Sequence, residues 1–98
     1  MKPCMKQAVA RAIAADFIRP EYRILAAIWQ APTQFNSAGQ IAGVPITTAR
    51  AMILRMAAEG LIDQTPDTRD GRMRWLTLTD AGRKKVEPVL MLFAEEQA

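Results

Sequence analysis

Apolar residues recur along this chain with two periods, one helical and one of strands, and the points where the period changes mark the elements. Met5, Val9, Ala12, Ile13 and Phe17 lie on a single helical stripe, so the opening segment predicts a helix of about four turns that ends before Pro20. Its apolar face reads as core or subunit contact. PEYRILAAIWQ follows, with Pro20 in the first turn and Tyr22, Leu25, Ile28 and Trp29 on one side, until APTQFN breaks the pattern.

SAGQIAGVPITTARAMILRMAAEG then predicts a short helix from about Ser37 to Ala42, a turn at Gly43 and a second helix ending at Gly60. Ser37 is expected as the N-cap, its hydroxyl accepting from an otherwise unpaired amide one turn on. Gly43 tolerates the positive φ of a tight turn, and Pro45 stops the first helix from running on. Ala49, Met52, Ile53 and Met56 form the inward stripe of the second helix, with Gly60 as its expected C-terminal cap. Its outward side carries Thr47, Arg50, Ala51, Leu54 and Arg55.

LIDQT and RWLTLT, rich in branched and aromatic residues, flank the turn formers of PDTRDG and predict an antiparallel hairpin. Thr79 or Asp80 caps a last helix with Val86, Val89, Leu90 and Phe93 on one side, and Pro88 is expected to kink this helix rather than end it. The fold class is therefore mainly α with a small β-hairpin: a winged helix-turn-helix with flanking N- and C-terminal helices. The expected organisation is a single domain over 1–98, made of an N-terminal helix (1–19), the winged core (20–79) and a C-terminal helix (80–98).

Composition narrows the function. A 98-residue chain that is 50% hydrophobic and 23% charged is globular rather than disordered. Its core is small enough for a partner subunit to help. The net charge of +3 permits an anionic partner, and the basic residues concentrate in the second half, from Arg50 to Lys85. The single cysteine, Cys4, cannot build an intramolecular disulfide framework. No apolar run approaches the roughly 18 residues of a membrane span. The cationic, alanine-rich start is interrupted by Arg11 and Asp16 and is read as part of a mature, cytoplasmic fold. With no histidine and one serine, most metal sites and nucleophile–base pairs are removed, so no enzyme and no cofactor are expected.

One question remains: why DTRDGRMRW places charge of both signs on a hairpin tip, where burial contributes almost nothing. From Ser37 to Arg83 the chain resembles the multiple-antibiotic-resistance regulator (MarR) family of bacterial transcription factors. The resemblance rests on Gly43–Val44, on Gly60 with Leu61 and Ile62, on the D-x-x-D-x-R wing of Asp67, Asp70 and Arg72, and on LT-x-x-G at Leu78, Thr79 and Gly82. It implies that Arg72 enters a DNA minor groove, oriented by a bidentate pair with Asp70, while Arg69 and Arg74 meet phosphates. On the recognition helix it implies that Thr47 and Arg50 face base edges, with Thr48 on phosphate or inward, and that Arg55 meets the backbone or an acid. Ser37 and Gln40 are expected phosphate donors. Pro45, Ile46 and Ala51 depart from the family pattern. Ile46 and Ala51 suit thymine methyls, so the family's operator preference does not carry over.

The resemblance further implies a homodimer, formed through Met5, Val9 and Ile13 of the first helix and Val89, Leu90 and Phe93 of the last, on a roughly palindromic site in double-stranded DNA. Met91, Leu92 and Phe93 support such a contact unless they cover the domain's own core. Many relatives bind small aromatic acids, for which Tyr22, Trp29 and Trp75 are candidate cavity residues, and one branch senses hydroperoxides with a cysteine placed like Cys4. The alternative class is a winged-helix protein-interaction module, an adaptor or an antagonist of another regulator. It gains if Ile46 and Leu54 are exposed together.

Overall fold

The computed structural model describes residues 5–15 and 17–95, so Cys4 and the redox role expected of it lie outside the described residues. The chain runs α1 (Met5–Ala14), α2 (Pro20–Trp29), β1 (Thr33–Gln34), α3 (Phe35–Ala42), α4 (Ile46–Ala58), β2 (Ile62–Pro66), β3 (Arg74–Leu78) and α5 (Asp80–Glu95). The fully buried large side chains Ile24, Leu25, Ile53, Met56, Leu76, Val86 and Leu90 come from α2, α4, β3 and α5. The core thus sits where the helix-turn-helix, the wing and the last helix meet. Ala8, Val9 and Ala12 of α1 are buried in the same cluster.

Local chemistry explains the two turns that aim α4. Gly43 (φ 71°) follows α3, and the amide of Val44 donates to the Gly39 carbonyl at 2.8 Å. Only a left-handed residue lets the chain bend there by the observed 115° between the two helices. At the other end Gly60 (φ 82°) closes α4, with Leu61 N–H donating to Met56 at 2.9 Å and Gly60 N–H to Ala57 at 3.1 Å. Leu61, now buried, enters the wing directly.

β2 and β3 pair antiparallel from Ile62↔Leu78 to Pro66↔Arg74, as the strand pattern predicts. The structure adds a third strand: Thr33 and Gln34 pair with Leu76 and Trp75, giving the order β1-β3-β2. Thr79 caps α5, its hydroxyl accepting from Gly82 N–H at 3.0 Å while donating to the Gly60 carbonyl at 2.6 Å. The wing and the last helix are thereby tied to the end of α4. α5 runs on through Pro88.

Two local expectations are corrected. α1 ends at Ala14, short of Phe17, where the tighter bonds Ala15 N–H to Ala12 and Ile18 N–H to Ala15 take over. Phe17 is 83% exposed although its ring stacks on Phe93 with centroids 6.2 Å apart. Ser37 is not the N-cap: α3 begins at Phe35, with Gln34 as its cap residue and no side-chain cap hydrogen bond, because the helix starts directly off β1.

Candidate nucleic-acid interface

α4 presents Ile46, Thr47, Thr48, Arg50, Ala51, Leu54 and Arg55 as exposed residues, while Ala49, Ile53 and Met56 anchor it inward. Arg50 donates to the Asn36 Oδ1 at 3.2 Å, a bond that leans the guanidinium toward the start of α3. Arg50 of α4, Arg72 and Arg74 of the wing, and Phe35, Asn36 and Leu54 share one open groove of about 360 Å³. A second, of about 330 Å³, lies beside it and is lined by Gln40, Ile46, Ala49 and Arg50 among others. Recognition helix and wing therefore open onto one continuous cationic face. Gln40 is exposed on this side, whereas Ser37 is half-buried in the first turn of α3.

The wing tip, residues 67–73, is organised by two carboxylates. Asp67 Oδ1 accepts from the amides of Arg69 (2.7 Å) and Asp70 (3.2 Å), and Asp67 Oδ2 accepts from the Trp75 indole N–H at 2.8 Å. The indole bond, then the two amides, hold the Asp67 carboxyl below its usual value of 3.8, against a smaller opposing effect of burial. Asp70 Oδ1 accepts from the Arg72 amide at 3.0 Å and from Arg72 Nε at 3.4 Å. The bidentate pair expected of Asp70 and Arg72 is therefore a single, longer side-chain contact: one carboxylate oxygen serves both the backbone and the guanidinium. Arg72 stays 94% exposed at the tip. Arg69 is exposed beside it, and Arg74 is held along the sheet by Gln64 Oε1 at 3.1 Å.

Arg55 takes the second of its two expected partners, an acid. Its guanidinium contacts Glu21 at 2.8 Å and Glu59 at 3.3 Å, so its charge is engaged within the fold. The aromatic residues expected to line an effector cavity each have a contact of their own. Trp29 lies under Arg83 at 5.1 Å, Tyr22 under Lys85 at 5.9 Å, and Trp75 is bound to Asp67.

The expected dimer residues divide. Val9, Leu90 and Phe93 are buried within the chain's own core, where α1 packs on α5, so they are not available to a partner. Met5, Ile13 and Val89 are half-buried at its margin, and Leu92 is 63% exposed.

Sequence reasoning named Asp67 only within the wing motif and Trp75 only as a cavity candidate, missing their bond to each other, and it missed Asn36 and Glu21. An aspartate opening a turn and a tryptophan just beyond it were the available signal for that bond. Asn36 and Glu21 act on side chains distant in sequence and leave no periodic trace. Among the described residues no group of histidine, cysteine or acidic side chains is placed to hold a metal ion. Likewise no single helix among them is long and apolar enough to cross a membrane.

Solved structures share this arrangement. BpsR of Bordetella bronchiseptica, whose DNA binding is regulated by 6-hydroxynicotinic acid, is 25% identical, and the match covers 93% of this chain and 71% of that one at a TM-score of 0.69. The PcaV transcriptional regulator from Streptomyces coelicolor is 26% identical, with 87% and 66% covered and a TM-score of 0.68. A MepR variant of S. aureus bound to an oligodeoxyribonucleotide is 22% identical over 95% of this chain and 70% of that one, a likeness of fold at a TM-score of 0.69. No family model matches the chain, and no curated protein does. Among the described residues, five helices around a small antiparallel sheet, with α4 and the hairpin on one face, make this a winged helix-turn-helix protein. Over most of its length the chain is similar in structure to these transcriptional regulators, the likeness that its resemblance to the MarR family implies.

Proposed function

We propose that this chain is a sequence-specific regulator of transcription in the cytoplasm, a repressor that binds a palindromic operator in double-stranded DNA as a homodimer. The observation that carries the reading is the shared groove: Arg50 on α4 and Arg72 on the wing open onto one face, both exposed. An α-helix fits the major groove, where arginine pairs with guanine O6 and N7. A wing arginine fits the adjacent minor groove, where narrow A·T-rich stretches concentrate negative potential. Thr47, Ile46 and Ala51 supply hydroxyl and methyl contacts to base edges, and Thr48, Gln40, Arg69 and Arg74 supply phosphate contacts. Ser37 is a lesser phosphate donor, and Arg55 serves to hold α4 instead. The dimer half of the proposal rests on the exposed Phe17 and Leu92, beside the half-buried Met5, Ile13 and Val89. The regulation of BpsR by 6-hydroxynicotinic acid is the precedent for a small aromatic acid as effector. The cationic groove has the charge to receive such a carboxylate.

The test is an electrophoretic shift with DNA fragments flanking the chain's own gene, comparing wild type with Arg72→Ala and Arg50→Ala. Both variants should bind more weakly, and only Arg50→Ala should also relax the choice among sequences. Equal shifts for all three proteins would remove the assignment.

A second reading has its own observation. Ile46 (56% exposed) and Leu54 (49%) flank Arg50 along one side of α4, an apolar pair that suits a protein partner in an adaptor or antagonist. Tight co-purification of another protein, with DNA binding indifferent to salt and sequence, would favour it.

A further inference from the structure

We propose that the hydrogen bond from Trp75 to Asp67 is a positioning latch that holds the wing tip in the shape from which Arg72 reaches DNA; this rests on the DNA-binding reading above. Trp75 sits on the central strand β3, its backbone paired with Gln34 on one side and Thr65 on the other. It is the fixed reference against which the tip can be held. Its indole N–H reaches across the hairpin to Asp67 Oδ2 at 2.8 Å. The other oxygen of the same carboxylate collects the amides of Arg69 and Asp70. Asp70, once its backbone is set, accepts from the amide and the Nε of Arg72. A relay of three side chains thus runs from the sheet to the one guanidinium that stands 94% in solvent.

The physical reason for a latch lies in the tip itself. Residues 67–73 contain Gly71, and within the tip the backbone hydrogen bonds are Asp67 N–H to Met73 and Met73 N–H to Asp70. Without the Asp67 carboxylate, the amides of Arg69 and Asp70 lose their partners and the tip samples many shapes. Binding DNA would then require ordering it at a cost to affinity. A tip held in advance by groups on a rigid strand avoids that cost. Asp67 and Trp75 touch no DNA in this account and act through Arg72.

The experiment uses the full chain, with the flanking-DNA fragment that wild type shifts as the probe. Trp75→Phe removes the donor and keeps an aromatic ring. Asp67→Asn leaves one acceptor oxygen where the carboxylate has two, so it cannot serve both the indole and the amides. Each is made alone and with Arg72→Ala, and thermal melts report folding independently of DNA. The expected result is a roughly tenfold weaker Kd for either single variant and no further loss when Arg72 is already absent. The Trp75 indole N–H resonance should shift in Asp67→Asn while that of Trp29 does not. Equal losses with and without Arg72 would reduce the pair to general stability and overturn the proposal, as would single variants that bind like wild type. If Arg72→Ala itself binds like wild type, the wing reading fails and the latch falls with it. If Arg72→Ala is weak but the latch variants are not, only the latch falls.

Discussion

Arg55 on α4 donates to Glu21 on α2 at 2.8 Å and also meets Glu59 one turn along, so of its two expected partners, the backbone or an acid, it takes the acid and ties α4 to its neighbour. The Arg55 side chain is still half exposed, which limits the pair to under about 1 kcal/mol. A double-mutant cycle of Arg55→Ala and Glu21→Ala in urea should return a coupling of that size. The same Arg55→Ala variant should leave the salt slope of DNA binding unchanged. A slope lowered by about one would restore Arg55 to the phosphate-contacting set.

Arg72 and Arg50 should separate in kind. Loss of Arg72 removes a sequence-tolerant cation, so Arg72→Ala should weaken binding to all fragments and lower the salt slope by about one. Loss of Arg50 should cost about 1–3 kcal/mol at the preferred site and less elsewhere, because a base-edge contact discriminates. Fluorescence anisotropy at several salt concentrations, on the preferred fragment and a scrambled one, distinguishes them.

Much of this was legible in the sequence because it depends on period and on turn chemistry. α2, α4, the two wing strands and both glycine turns follow from spacings and from residues that tolerate positive φ. β1 was not legible: two residues cannot show alternation, and their pairing is decided by β3. Phe17 misled because it falls in phase with α1, although the helix stops at Ala14. Ser37 looked like a cap because α3 was expected to begin there, and the real start is set by β1. The positions of Arg50 and Arg72 were readable, but their surroundings were not. Asn36 and Glu21 meet their arginines only through tertiary packing, and the Asp67–Trp75 bond depends on how the hairpin tip folds.

Gly39 should be intolerant of any side chain. A Cβ there would stand 2.5 Å from the Ala49 Cβ and 3.2 Å from the Val44 carbonyl, where α3 and α4 pack closely. Gly39→Ala therefore overpacks the helix-turn-helix and should destabilise it by about 1–3 kcal/mol in urea unfolding. Gly71→Ala, with open space around it, should leave global stability nearly unchanged.

Acid should dissolve the wing's organisation before neutral conditions touch it. The Asp67 carboxyl titrates below its ordinary value of 3.8 because the Trp75 indole, and then the Arg69 and Asp70 amides, favour its charged form. A group whose folded-state value is depressed stabilises the fold above its unfolded value and loses that contribution as pH falls through the folded one. The difference in Tm between wild type and Asp67→Asn should be full and flat above the ordinary carboxylate range, and should close as pH drops below 3.8. A difference that instead grows toward low pH would contradict the hydrogen-bond arrangement.

Leu90 and Leu92, two residues apart on α5, should report on two different contacts. Leu90 is fully buried in the chain's own core, whereas Leu92 is 63% exposed. Leu90→Ala removes packed methylenes and should cost about 2–5 kcal/mol at any protein concentration. Leu92→Ala should change intrinsic stability by no more than about 0.5 kcal/mol, as for a surface site. If the exposed apolar residues Phe17 and Leu92 form the subunit contact, replacing either by glutamate should shift sedimentation toward the monomer. The same change should make Tm independent of concentration, since association stabilises only by mass action. A wild-type chain that sediments as a monomer at all concentrations, with Leu92→Glu indistinguishable from it, would remove the homodimer from the proposed mechanism. The groove of Arg50 and Arg72 would then have to read a single half-site.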